Sequence, residues 1–443
     1  MKNFIQTIKN IWSIEELRGR ILTTLALLLV FRIGSYIVLP GIDAAALALA
    51  NEGGGGLAGL LDLFTGGAFN RASIFSLGIM PYISASIIMQ LMGIAVPTIQ
   101  KMQKDGESGR KKINQYTRFL TIVITCFQAP GYIAASVPAE ARLDDSVFWW
   151  TSTIIILTTG TLFVMWLGER ITDRGIGNGI SLLIMIGIIA GLPGAFFQEV
   201  LAATGPEGNG LVMLLIELVA LLVVIAATVA LVQAVRRVPL QFAKQQVGNR
   251  AQSSGGARQY IPLKVNSAGV MPIIFAQAIM FVPLYIAQYS GSESGFIVEL
   301  ANFAGFWYNL LFFIMVIAFT YFYTAITVNP NQMADDLKRN GGFVPGVKPG
   351  KSTADFLDNV LSRITLPGAI FLGFIAILPV FAMQAGVKQA FSIYFGGTSL
   401  LIMVGVILDT LQQIESYLLM RHYDGLMKTG RIAGRASTFG MAG

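Results

Sequence analysis

An all-α membrane protein of ten transmembrane helices is the fold class this sequence predicts, and three features predict it. Hydrophobic residues make up 54% of the 443 and charged residues only 12%, with a mean hydropathy of +0.66. That composition lies outside the range of soluble domains. The apolar residues fall in runs long enough to cross a bilayer, separated by polar segments. Finally, 27 of the 31 Lys and Arg residues fall in the N-terminal tail, every second connection and the C-terminal tail. Acidic residues show no such split, so this is the cation bias that orients helical membrane proteins. Both termini are expected in the cytoplasm, in keeping with an even number of spans.

The first span covers about 21–39 and follows a charged segment with no clear cleavage site, so it reads as retained. The second, 74–95, contains Gly78 and Pro81 and follows a short apolar stretch, LAGLLDLF, and the pair Gly66-Gly67. Broken backbone inside hydrocarbon is tolerated only where protein or a water-filled cavity covers it, so this region predicts a cavity. Spans three and four cover 117–136 and 148–168, and Cys126 in the third is expected to be inert packing. GIGNG at 175–179 reads as a sharp bend into the fifth span, 180–201. A dinucleotide fingerprint would need a soluble strand before it.

The sixth span, 211–234, leads into a long loop at 236–267 that carries Arg236, Arg237, Lys244, Arg250, Arg258 and Lys264 and no acid. Such a protrusion suits anionic lipid, ribosomal RNA or an acidic protein surface. Span seven, 268–287, holds Pro272, expected to loosen the helix beside Ile273 and Ile274; span eight covers 306–327. The loop at 328–365 mixes five bases with four acids and reads as protein surface. Spans nine and ten cover 366–385 and 397–418.

Little in the chain points to catalysis. A single histidine, His422, leaves no His-based metal cluster and no Ser–His hydrolase. No Walker A pattern occurs, so nucleotide energy would have to come from a partner. The expectation is a protein that is not an enzyme and holds no cofactor. Charges within spans are functional candidates by default; they are Arg32, Glu217, Asp409 and Glu415. Arg32 and Asp409 lie deepest and would be the polar site of a small-solute secondary transporter. The other recurrent feature is Ile beside flexible or kinked backbone, at Ile79 and Ile83 around Pro81 and in the runs 180–191, 268–275 and 396–404. Branched apolar side chains can close a wide path by dewetting without holding what passes. Ile is also common facing lipid, so channel, transporter and insertase-like scaffold all stay open on spacing alone.

Six segments occur in order: RASIFSLGIMPYISASIIMQL at 71–91, GESGRKKINQYTR at 106–118, DRGIGNGIS at 173–181, IPLKVNSAGVMP at 261–272, FVPGVKPG at 343–350 and YFGGTSLLI at 394–402. Together they closely resemble the SecY family of protein-conducting channels, from about Ile14 through Asp424. The resemblance implies two inverted pseudosymmetric halves, 1–205 and 206–443, clasping an hourglass pore that also opens sideways to lipid. It implies a short re-entrant plug helix at about 57–65 with its hinge at Gly66 and Gly67. By motif, the pore ring falls on Ile79, Ile83, Ile184, Ile274 and Ile402. A lateral gate between helices two and three and helices seven and eight would lie near Gln90 and Val282, the latter where several relatives carry an aromatic.

The same resemblance implies partners. Arg236, Arg237, Lys244, Arg250 and Arg258 in one cytoplasmic loop, and Lys348 in the other, would dock the ribosome and the SecA ATPase. Lys348 stands where many relatives have arginine, which keeps the charge but loses the rigid donor fork. SecE and SecG subunits, preprotein substrates, anionic phospholipids and an accessory SecDF or YidC-type insertase complete the expected set. The implied function is translocation of unfolded preproteins across a bacterial cytoplasmic membrane, with sideways release of transmembrane segments and energy supplied from outside the chain.

Overall fold

The computed structural model describes residues 14–51, 64–205, 210–242, 259–277 and 304–428, together with 12, 62, 279 and 280. Helix α1 is Glu15–Gly34, α2 Ala44–Asn51, α3 Met80–Ala95, α4 Pro97–Lys104, α5 Gly106–Ser136 and α6 Val147–Arg174. Further on come α7 Gly179–Thr204, α8 Gly210–Gln233, α9 Phe306–Thr327, α10 Pro330–Arg339, α11 Lys351–Gln384 and α12 Gly397–Lys428. Residues 271–277 are also helical. Local chemistry sets many of the starts. The Ser146 side chain caps α6 through Trp149 N, Asn178 caps α7, and Asn329 caps α10 ahead of Pro330.

Among the described residues, seven helices are long and apolar enough to cross a membrane, and an eighth is reached if α3 and α4, bent by 106° at their break, form one span. The expected ten therefore stand on the sequence for two spans. The first helix carries Arg18, Arg20 and Arg32, and the seventh is described only in its opening turns.

Three expectations change in detail. The first span leaves the helix at Gly34, because residues 37–39 turn aside to bond 72–74: Leu39 N donates to Ala72 O and Ile74 N to Ile37 O. Second, Pro81 and Pro272 do not kink their helices midway. Each lies in the first turn, where a missing N–H costs nothing. Gly78 and Gly269 precede them at φ +53° and +64°, so the patterns GIMP and GVMP make one turn into two helices. Third, Cys126 is exposed on α5 rather than packed.

Aromatic rings and glycines bring the helices together. Phe75 sits between α1 and α6, its ring stacked on Phe31 at 6.0 Å and on Phe163 at 5.8 Å. Gly34 and Gly160 leave room for it: a Cβ on Gly34 would enter the Phe75 ring, and one on Gly160 would meet the Ile74 carbonyl. Small residues serve the same end in membrane helices generally, where close approach replaces hydrophobic drive.

The described residues are not purely helical. Residues of the long basic loop form strand β1, Val235–Phe242, and strand β2, Gln259–Lys264; β3, Gly342–Phe343, comes from the second loop. The sheet runs β2-β1-β3, with Arg236 opposite Leu263 and Gln241 opposite Phe343. Val238 and Leu240 point to one face at strand periodicity and bury against Leu263, Val344, Leu357 and Leu361. The described parts of the two loops are thus one packed unit set against the N-terminal part of α11.

Candidate functional site

The five isoleucines singled out from sequence come together. Ile79, Ile184 and Ile402 are buried in one hydrophobic cluster, and Ile83 and Ile274 pack against it half-buried. They reach it from different places: Ile79 as the residue capping α3, Ile83 from its first turn, Ile184 from α7, Ile274 from the helix at 271 and Ile402 from α12. Ile83 N donates to Ile79 O at 3.0 Å, which fixes the two one above the other. Sequence reasoning missed other members of the cluster, Ile188, Phe391, Phe395 and Val406. Tyr394 joins them, donating its hydroxyl to Ile188 O at 3.1 Å. Phe391 and Phe395 lie edge to face at 5.5 Å, in a segment whose short length gave no span-like signal.

The Gly66-Gly67 hinge borders this cluster, with Phe64 packed against it. Both glycines have positive φ, +66° and +85°. Two arginines grip their carbonyls. Arg32 donates to Gly66 O at 2.6 Å, and Arg71 donates to Gly66 O at 2.9 Å and to Gly67 O at 2.6 Å. Both guanidiniums stack on Tyr36, 4.8 and 4.2 Å from its ring centre, and Arg32 also donates to the Tyr36 hydroxyl at 2.9 Å. Asp62 closes the turn from the other side: its backbone carbonyl accepts from Gly67 N, and its carboxylate accepts from Asn70 N at 2.9 Å. Burial holds the Asp62 carboxyl above the usual carboxylate range, against the pull of that hydrogen bond and of the Arg71 charge. Apart from Asp62, Phe64 and Thr65, the segment 57–65 lies outside the described residues.

The GIGNG bend is a junction. Gly177, at φ +83°, donates its N–H to Gln413 Oε1 of α12 at 2.9 Å, Ile176 N donates to Thr24 Oγ1 of α1 at 3.0 Å, and Gly179 N to Thr172 Oγ1 at 2.9 Å. Toward the opposite ends of these helices, Lys388 N donates to the buried Glu199 carboxylate at 3.0 Å. Backbone and side chain thus join the early and late parts of the chain at both levels.

Among the described residues, Arg32 and Asp409 do not come together as the polar site that a transporter would need. Arg32 is committed to the hinge, and Asp409 is exposed on α12. Gln90 is half-buried on α3, and Val282 lies outside the described residues. Arg236 and Arg237 are exposed on β1; Lys348 is exposed in a turn between Gly346 and Gly350, both at positive φ. Lys244, Arg250 and Arg258 lie outside the described residues.

Known proteins resemble this chain in sequence and in fold. A family model described as SecY matches residues 73–411. The protein translocase subunit SecY of Streptomyces scabiei is 42% identical over 431 residues, spanning 93% of this chain and 97% of that protein. Among solved structures, one reporting that the plug domain of the SecY protein stabilises the closed state superposes with a TM-score of 0.59 at 19% identity, over 94% of this chain and 95% of that one. Another, Sec61 in a canine ribosome-channel complex from the endoplasmic reticulum, gives 0.55 at 18% identity over 94% and 95%. At those identities the structures speak for the fold, while the sequence match speaks for descent. The chain belongs to the SecY family.

Proposed function

We propose that this chain is the channel subunit of a protein translocase: it passes unfolded preproteins across the membrane and releases transmembrane segments sideways into lipid. The observation that carries the reading is that Ile79, Ile83, Ile184, Ile274 and Ile402, from separate parts of the chain, all belong to one larger apolar cluster beside the Gly66-Gly67 turn. Such a ring closes by excluding water and yields to any side chain, because it offers loose apolar contact and no fixed polar partner. The hinge carries a plug at 57–65 that covers the outer side when no polypeptide is present. A signal segment enters between helices two and three and helices seven and eight, near Gln90 and Val282, and partitions toward lipid while hydrophilic chain follows through the ring.

The chain makes and breaks no covalent bond in this scheme. Direction comes from partners on the cytoplasmic side, where Arg236, Arg237, Lys244, Arg250, Arg258 and Lys348 meet the ribosome or the SecA ATPase. A packed sheet supports that role better than a free loop, since docking onto a preformed surface costs less ordering entropy. SecE and SecG subunits complete the complex, anionic phospholipids border it, and a SecDF or YidC-type protein assists it. The setting is the bacterial cytoplasmic membrane with both termini inside, and the halves 1–205 and 206–443 move about their junction.

Photocrosslinking from position 274 to a stalled secretory polypeptide in membranes tests the reading. Adducts that form as the chain enters and vanish on its release support a through-pore. Their absence, with crosslinks from position 90 intact, would leave an insertion scaffold without a pore.

A further inference from the structure

An arginine inside a span is costly and is retained only where something compensates it. For Arg32 the compensation is unusual in kind. Among the described residues its guanidinium bonds no acid; instead it donates at 2.6 Å to the carbonyl of Gly66, an atom Arg71 also holds at 2.9 Å. Two like charges brought to one oxygen repel, and this structure offsets the repulsion with a second carbonyl, Gly67 O, and with the shared face of Tyr36. The arrangement is specific to the hinge as it stands. A Cβ on Gly66 would lie 2.9 Å from Arg32 Nη1 and 3.0 Å from Gly187 Cα, so neither a side chain nor another backbone turn fits between the jaws.

We infer that Arg32 is a positioning residue of the channel, one jaw of a clamp that holds the Gly66-Gly67 hinge, with Arg71 as the other jaw and Tyr36 as their common support. The clamp reads backbone carbonyls only, so it acts on the hinge whatever side chains follow in the plug. Because both guanidiniums meet at Gly66 O, moving that oxygen loses both bonds in one step, and the hinge is held or released as a unit. Arg32 belongs to α1 and Arg71 to the turn before α3, so the clamp also ties the hinge to the first helix, which the glycines themselves touch nowhere else by hydrogen bond among the described residues. This inference rests on the reading of 57–65 as the plug.

The test uses the reconstituted translocase complex in proteoliposomes and reads halide efflux at rest. R32Q and R32K are compared, each in the full chain and in a chain lacking 57–65. Loss of one charge-assisted bond at a half-exposed site predicts about a tenfold rise in resting efflux for R32Q. R32K, which keeps the charge and one donor, should fall between R32Q and the parent. Neither substitution should raise efflux further once 57–65 is removed. R71Q must behave like R32Q, which keeps the question answerable if R32Q fails to insert. Unchanged efflux in R32Q and R71Q, with the 57–65 deletion leaking, overturns the clamp and leaves the plug standing. A deletion that does not leak removes the plug and the clamp with it. Added efflux of R32Q in the deletion would show that Arg32 acts elsewhere, and the clamp would again fall.

Discussion

Replacing Ile184 by serine should unseal the resting channel. Ile184 is 4% exposed and shares its cluster with Ile79 and Ile402, at 5% and 2%. Burying an isoleucine side chain is worth roughly 1.5–3 kcal/mol relative to leaving it in water. The substitution removes most of that, about 2 kcal/mol, and adds a hydroxyl that favours water. If wetting of the ring limits ion passage, about 2 kcal/mol corresponds to roughly a thirtyfold rise in the wetted fraction. Conductance across planar bilayers at rest reads this directly. The control is Ile155→Ser on α6, because Ile155 is 59% exposed and outside the cluster. Equal conductance for the Ile184 variant, the Ile155 variant and the parent, all inserted and folded, would refute the sealing argument, since the cluster would then be ordinary core.

Two further outcomes follow from features outside the ring. Gly160→Ala drives a methyl group into the Ile74 carbonyl, a backbone contact that cannot rotate away, and should cost about 1–3 kcal/mol; a lowered thermal unfolding midpoint in detergent checks this against Gly194→Ala, where the space is open. The Gly66-Gly67 turn should also respond to pH through Asp62, whose carboxyl is held above its ordinary range by burial. A group that binds its proton more tightly in the seated hinge stabilises that state as pH falls, and the gain is lost as pH rises through the raised value. Resting efflux should therefore fall as the pH is lowered from neutrality, and Asp62→Asn should flatten that trend; an Asp62→Asn profile identical to the parent would mean that other groups set any pH response.

The five isoleucines were legible because each sits in a short segment whose neighbours are as informative as itself, such as GIMPYI and GNGISLLI. What surrounds them was not. Phe391 and Phe395 complete the cluster from a stretch too short for span periodicity, and only tertiary contact brings them to Ile188. Apolar runs 74–95 and 268–287 gave no sign that their helices begin at Met80 and near Met271, since hydropathy does not distinguish turn from helix at that depth. The cytoplasmic sheet was hidden by its own sequence: VRRVPLQF carries two arginines and a proline, and its alternation shows only at Val238 and Leu240. Arg32 was visible as a charge in a span, yet its partner is a backbone carbonyl, which no side-chain pattern can announce. Cys126, read as core from its apolar neighbours, faces outward because in lipid apolar neighbours mark the periphery as readily as the interior.

The cytoplasmic sheet has a mechanical meaning. Its strand β1 runs directly out of α8, β2 leads within seven residues to the helix at 271, and β3 stands eight residues before α11. Antiparallel hydrogen bonds make the three strands stiff against shear, so a load applied at any one of them is shared by all. A push on the sheet therefore reaches three membrane helices together. One of those helices begins beside Ile274, which makes the sheet the short arm of a lever whose long arm ends at the isoleucine cluster.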